Sequence, residues 1–267
     1  MKVESWDGRR VLVTGASSGI GAAIARDLAQ QGAVVGICAR RSELLDKVLA
    51  DCRAHVAECR SWTIDLSEID GLDSFVGQVQ SDLGGIDTLV NNAGMVSGGP
   101  SAMDTPWSDV ETMVRTNYLS PIKLTLAALP SMLERGTGQI ATVSSMAARM
   151  STPGESAYAG SKGALTAWFE ALAGELWNTG VSVHLVYPAL IEVKNDEDGD
   201  DALADTPNMG MHIPSPVCAR AIRRQLERGD LELYVPTTVK EIVLNRAQDT
   251  AASIDMMARW FGSGAPR

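Results

Sequence analysis

Tyr158 and Lys162 stand four residues apart in Tyr158-Ala159-Gly160-Ser161-Lys162, and Ser145 lies thirteen residues upstream of the tyrosine. On a helix, that four-residue spacing puts phenol and ammonium on one face. A neighbouring positive charge favours the phenolate and lowers a phenol pKa. A phenol titrating near working pH can pass a proton to or from a substrate oxygen. Tyr-x-x-x-Lys alone is a common pattern, so the rest of the chain has to supply a reaction for such an acid.

That reason stands near the other end of the sequence. Arg10-Val11-Leu12-Val13-Thr14 is a short apolar run suited to a buried parallel strand. It leads into Gly15-Ala16-Ser17-Ser18-Gly19-Ile20-Gly21 and then into Ala22 to Ala29, a good helix former. Strand, glycine turn and helix together bring backbone N–H groups and a helix dipole to bear on a pyrophosphate. Glycines suit the turn because a Cβ would obstruct both the chain reversal and the close approach of a cofactor. A plain strand-to-helix turn is the alternative reading of the same residues.

The spacing Thr14-Gly15-x-x-x-Gly19-Ile20-Gly21 resembles the signature of the short-chain dehydrogenase/reductase family. Further pieces fall in that family's order: Asn91-Asn92-Ala93-Gly94 after an apolar run, Asn117 within Arg115-Thr116-Asn117-Tyr118, then Ser145, Tyr158 and Lys162. The resemblance is strong over about residues 8 to 190 and looser beyond. It implies a single doubly wound α/β domain over 1–267, a Rossmann fold with a seven-stranded parallel sheet. Alternating elements agree, with strands expected near 10–14, 33–39, 58–64, 87–90, 138–144, 181–187 and 231–235. A long helix is expected over about 108–134, bent or loosened at Pro121, which cannot donate an i−4 hydrogen bond.

The resemblance implies hydride transfer between a nicotinamide cofactor and a carbonyl or alcohol. Tyr158 would protonate the developing alkoxide or accept the alcohol proton, and Ser145 would hydrogen-bond the same oxygen. Ser145 rather than Ser144 matches the family spacing. Lys162 would lower the Tyr158 pKa and bind nicotinamide ribose hydroxyls, and Asn117 would hold a water in a proton relay. Each of these residues alone has an ordinary structural reading: strand-end hydroxyl, helix-distorting amide, helix N-terminal aromatic. An inactive NADP(H)-binding sensor or scaffold of the same fold is the rival function.

Cofactor choice is read at the end of the second strand. An acidic residue there would bond the ribose 2′-OH of NAD, but this chain has Ala39 followed by Arg40 and Arg41. Guanidinium groups suit a 2′-phosphate. NADP(H) is therefore expected, with Arg40 first, Arg41 in support and NAD(H) as the alternative. The two arginines could also simply open a solvated helix. By resemblance, Gly15, Ser17, Ser18, Gly19, Ile20 and Gly21 cradle the phosphates, and Asp65 and Leu66 meet the adenine. Asp65 could instead cap a helix, as Ser67 could. Asn92, Ala93, Gly94, Tyr158, Lys162, Pro188 and Ile191 complete the cofactor contacts that the resemblance implies.

The chain departs from the family where relatives usually read Pro-Gly and a later threonine. Here Ala189 follows Pro188, and Val193 offers no hydroxyl to a carboxamide. The segment 189–216 is expected as a substrate lid, although its acidic run Glu192 to Asp201 has no core of its own. Met95, Met146, Met150, Met209 and Met211 map near the pocket and hint at a bulky apolar substrate, or serve as core filling.

The tail from Val239 to Phe261 reads as an amphipathic helix, expected to pack on the domain, meet a second subunit or touch a membrane. Membrane contact is least favoured because its basic residues are sparse. The resemblance implies homodimers or homotetramers built on helices near 108–134 and 157–178.

A net charge of −10 argues against nucleic-acid partners and anionic membranes. The N-terminal residues lack an apolar signal core, and no apolar run approaches membrane-spanning length. Cytoplasmic residence is the expectation. Cys38, Cys52, Cys59 and Cys218 are read as reduced thiols. Cys52, His55 and Cys59 lack paired Cys-x-x-Cys spacing and an obvious fourth ligand, so no metal is expected.

Overall fold

Apolar runs such as Val11-Leu12-Val13 and Val34-Val35-Gly36-Ile37 have no polar face to offer water, so their strands need helices on both sides. The computed structural model, which describes residues 2–97, 101–192 and 212–261, supplies those helices. The first half runs β1 (Arg10–Thr14), α1 (Gly19–Gln30), β2 (Val34–Ala39), α2 (Ser42–Arg53), β3 (Arg60–Thr63), α3 (Leu72–Leu83) and β4 (Thr88–Asn91). The second half runs α4 (Trp107–Val114), α5 (Ser120–Arg135), β5 (Gly138–Val143), α6 (Ser156–Glu175) and β6 (Val181–Pro188). Then come β7 (Ile191–Glu192), β8 (Ile213–Pro214), α7 (Ser215–Arg228), β9 (Glu232–Val235), α8 (Val239–Gln248) and α9 (Thr250–Phe261).

Seven strands form one sheet in the order β3-β2-β1-β4-β5-β6-β9, and every pairing is parallel. This is the doubly wound Rossmann fold, and its strands fall within two residues of the expected ones. Side chains alternate across β1: Val11 and Val13 join the core under α1, α2 and α7, with Ile24, Leu28, Leu45 and Ile222. Leu12 joins the opposite core under α3, α5 and α6, with Phe75, Leu124 and Phe169. Chain order reverses between β1 and β4, which opens a crevice beyond their carboxyl ends.

Two expectations change in detail. The long helix is interrupted by a π-helical turn at Arg115–Leu119, immediately before Pro121. Pro121 has no N–H for the carbonyl four residues back, that of Asn117, so the distortion falls on the turn that holds Asn117. The tail is two helices, because Asp249 is extended and its Oδ1 accepts from the Ala252 N–H at 2.9 Å, capping α9. Of the expected lid 189–216, residues 193–211 lie outside the described residues, along with Val193, Met209 and Met211. The two ends of that segment pair as the short ribbon β7–β8.

Candidate active site

The crevice is built first by the glycine turn. Gly15 has φ +65°, and a Cβ there would lie 2.6 Å from the Ala93 Cα, so only glycine lets β1 and β4 close up. Thr14 Oγ1 accepts from both the Asn92 and Ala93 N–H groups at 3.0 Å. Asn92 Nδ2 answers by donating to the carbonyls of Thr14 at 2.9 Å and Gly15 at 3.2 Å. These bonds tie the two strand ends together at the switch in sheet order. A Cβ on Gly21 would meet Asn92 Nδ2 at 2.4 Å, so Gly21 allows α1 to pack behind the turn.

A cavity of about 620 Å³ runs from this turn to the end of β6, within the size range of small-molecule and cofactor sites. Its lining includes Gly15, Ser17, Ser18, Gly19, Ile20, Arg40, Arg41, Asp65, Leu66, Asn92, Ala93 and Gly94. Ser145, Tyr158, Lys162, Pro188 and Ile191 line the other end. Gly21 and Asn117 stand behind the lining. Asn117 donates from Nδ2 to the Met95 carbonyl at 2.8 Å and to Ser161 Oγ at 3.0 Å. Its Oδ1 accepts from the Met95 N–H at 2.7 Å, so this side chain braces the loop after β4 against α6.

Ser144 and Ser145 separate clearly. Ser144 Oγ is buried against Thr166 Oγ1 at 2.8 Å and the Lys162 carbonyl at 3.3 Å. Ser145 instead starts a short 3₁₀ turn, its Oγ accepting from the Ala147 N–H at 3.1 Å, and interacts with the Tyr158 hydroxyl. The thirteen-residue spacing therefore selects the serine that meets the phenol.

The electrostatics differ from the expectation of a lysine-lowered phenol. Burial pushes the Tyr158 pKa up, the hydrogen bond with Ser145 opposes this, and the Glu155 charge adds to the rise. Lys162 is also buried, and burial lowers its pKa to about 8. Its Nζ donates to the Val143 carbonyl at 2.9 Å and lies 6.0 Å from the Tyr158 ring centroid. Four-residue spacing places the two side chains on one face, but the strand-end carbonyl takes the ammonium.

At the opposite end, Arg41 Nη2 donates to Ser17 Oγ at 3.1 Å and Ser18 Oγ at 2.6 Å. Arg40 is also exposed, with Nη1 3.9 Å from Asp65 Oδ2. Asp65 Oδ1 accepts from the Ser67 N–H at 2.9 Å and Ser67 Oγ at 2.8 Å, an Asx turn at the end of β3. Burial opposes ionisation of Asp65, but the two Ser67 bonds and Arg40 together hold its pKa below the usual value. Of the expected pocket methionines, Met95 and Met146 line the cavity, whereas Met150 is buried outside the lining.

Sequence reasoning missed Thr152 and Glu155, and it quoted Thr14 only as part of the glycine signature. The spacing Thr152-x-x-Glu155 is the signal that could have found the missed pair, because it is the capping-box pattern.

A parallel sheet with a glycine turn at its switch point and Ser145, Tyr158 and Lys162 across the crevice defines a dinucleotide-binding oxidoreductase. The model of the short chain dehydrogenase family matches residues 9–203, and the chain belongs to that family. It is 32% identical over 261 residues to the ketoacyl reductase HetN of Nostoc sp., covering 96% of this chain and 90% of that one. It is 40% identical over 184 residues to the fatty acyl-CoA reductase Rv0547c of Mycobacterium tuberculosis, covering 68% of this chain and 63% of that one. A short-chain dehydrogenase structure from Streptomyces avermitilis superposes with TM-score 0.79 at 27% identity, covering 99% of this chain and 100% of that one. A metagenomic short-chain oxidoreductase in complex with NADP gives TM-score 0.74 at 30% identity, covering 87% of this chain and 98% of that one.

The chain is thus an NAD(P)-dependent oxidoreductase. Its own geometry fits the dinucleotide: Gly15, Ser17 and Ser18 line the cavity, and α1 begins with Gly19 facing it. Among the described residues, no group of His, Cys, Asp and Glu could hold a metal ion. No described helix is long and apolar enough to cross a membrane.

Proposed function

We propose that this enzyme interconverts a ketone or aldehyde and the corresponding alcohol with NADP(H), and that Tyr158 is its general acid/base. The observation that carries the proposal is that Tyr158 lines one end of the cavity together with Ser145 and Lys162. When bound, the nicotinamide supplies or takes up hydride. Ser145 Oγ holds the substrate oxygen, and the neutral phenol of Tyr158 delivers a proton to that oxygen during reduction. A raised phenol pKa suits this direction, because the acid arrives protonated. In the reverse direction the alcohol proton returns to the phenolate. Lys162, anchored on Val143, would bind the nicotinamide ribose hydroxyls, and its positive charge stabilises that phenolate. Asn117 holds the Met95 loop and α6 in register, which fixes the position of Tyr158.

Cofactor preference rests on the arginines. Arg41, already seated on Ser17 and Ser18, and Arg40 beside it offer two guanidinium groups for a 2′-phosphate. Asp65 and Leu66 line the cavity where they would hold the adenine, and Pro188 and Ile191 where they would hold the nicotinamide. Met95, Val96, Met146 and Leu190 give the substrate end an apolar wall, which favours a bulky apolar substrate.

Exposed Trp107, Val114, Leu119, Leu126 and Leu133 recur mostly seven residues apart along α4 and α5. This stripe supports a homo-oligomer through that face. Four buried free thiols are in keeping with residence in the cytoplasm.

The test is a panel of ketones and aldehydes with NADPH, followed by nicotinamide absorbance. Tyr158→Phe should lower kcat/KM by at least about a hundredfold while NADPH still binds. Parent-like turnover by Tyr158→Phe would remove the proposed role.

A further inference from the structure

Glu155 lies three residues before Tyr158 and lines the same cavity. It occupies the N-cap position of α6, where a carboxylate commonly serves the first-turn N–H groups, yet its side chain makes no capping bond. Instead Oε2 accepts from Thr152 Oγ1 at 2.7 Å, which steadies the carboxylate from outside the helix. Among the described residues, Oε1 accepts no hydrogen bond and no cation pairs with Glu155. Asp65, the other acid of the lining, sits at the end of β3 with Arg40 and Ser67. The reacting end of the cavity thus has an apolar wall and one steadied acceptor. That the same charge raises the Tyr158 pKa agrees with its nearness to the phenol.

We propose that Glu155 sets substrate specificity by reading the group beside the reacting carbonyl, accepting a hydrogen bond from an ammonium or hydroxyl there and repelling a carboxylate. This rests on the carbonyl–alcohol reading of the site. The reasoning is a difference of affinities. A donor on the substrate gains a charge-assisted bond to Oε1, an alkyl group gains nothing there, and a second carboxylate meets like charge in a partly desolvated cleft. Thr152 matters because a carboxylate held in place loses less freedom when the substrate arrives.

The experiment uses four ketones that share one apolar chain and differ in a single β-substituent: ammonium, hydroxyl, methyl or carboxylate. With NADPH and the parent enzyme, kcat/KM should exceed that of the methyl ketone for the ammonium and hydroxyl compounds. It should fall below it for the carboxylate. Glu155→Gln should compress the ammonium-to-carboxylate ratio by about tenfold or more, and Glu155→Asp should restore part of it. A ratio unchanged in Glu155→Gln, or a parent enzyme that prefers the carboxylate, overturns the inference. Calorimetry provides a readout free of turnover, with a long-chain alkylamine and the matching fatty carboxylate titrated into parent and Glu155→Gln. The amine should bind more tightly to the parent, and the difference should vanish in the variant. If no ketone is turned over, the carbonyl–alcohol reading fails, and the calorimetric difference alone decides whether Glu155 selects by charge.

Discussion

Lys162 Nζ donates to the main-chain carbonyl of Val143 at 2.9 Å, which fixes the ammonium of α6 to the end of β5. A buried cation with one strand-end acceptor is poorly compensated, and burial lowers its pKa to about 8. The burial of this ammonium comes at a cost in stability.

Lys162→Met should therefore raise stability at pH 7 by about 1–2 kcal/mol while abolishing activity. The lysine pKa is lower in the folded chain, so the folded state releases the proton first. The parent should gain stability as pH rises from about 8 towards the unfolded value of about 10.5. The advantage of the variant should shrink over that same interval. Urea denaturation of both proteins across pH 7 to 10 measures it, and an advantage that stays constant with pH would count against a strained lysine.

His184 predicts the opposite edge of the pH range. It is fully buried in β6, with Nδ1 2.7 Å from the Asp230 carbonyl and Nε2 2.9 Å from Ser182 Oγ, and burial lowers its pKa to about 4. The unfolded chain takes up this proton near pH 6.5, so stability should fall progressively from there to about pH 4. The loss from this one group is about 3 kcal/mol. His184→Gln should show a shallower acid limb in melting temperature.

Two glycines should respond in opposite ways to the same substitution. Gly15→Ala puts a methyl group 2.6 Å from the Ala93 Cα at a φ of +65°, so it should lose dinucleotide binding and several degrees of Tm. Gly77→Ala, exposed within α3 with open space around it, should stabilise by about 0.5–1 kcal/mol. Differential scanning fluorimetry with and without NADPH distinguishes the two effects.

Arg41→Ala should weaken NADP(H) binding about tenfold to a hundredfold and NAD(H) binding by less than about threefold. Arg40→Ala should act in the same direction and less strongly, because its guanidinium stands opposite Asp65 while Arg41 is seated on Ser17 and Ser18. Titrations followed by nicotinamide fluorescence give all four constants. Equal losses for the two cofactors would remove the 2′-phosphate argument.

The sheet and the glycine turn were legible because they are written locally. Apolar runs of strand length alternate with helix formers, and Gly15 must be glycine for a reason its own turn supplies. Ser145, Tyr158 and Lys162 were legible as a spacing, and the fold brings all three to one cavity. What each side chain touches depends on distant chain. Lys162 turns to Val143, nineteen residues away, and Asn117 to Met95 and Ser161, twenty-two and forty-four away. No local pattern announces those partners or the burial that raises the Tyr158 pKa, so the four-residue spacing alone does not give the direction of that shift. Pro121 did signal a distortion, and its missing N–H explains why the π turn falls just before it. The break at Asp249 is not marked in the sequence, because the apolar stripe of the tail continues across it.

The strand order has a consequence for how the protein is made. β2 pairs with β1, β3 with β2, β4 with the free side of β1, β5 with β4, β6 with β5 and β9 with β6. Every strand emerging from the ribosome therefore meets an open edge already present, and none has to be threaded between two partners. Synthesis from the N-terminus lays the sheet outward from its centre, with the glycine turn in place before Tyr158 is made.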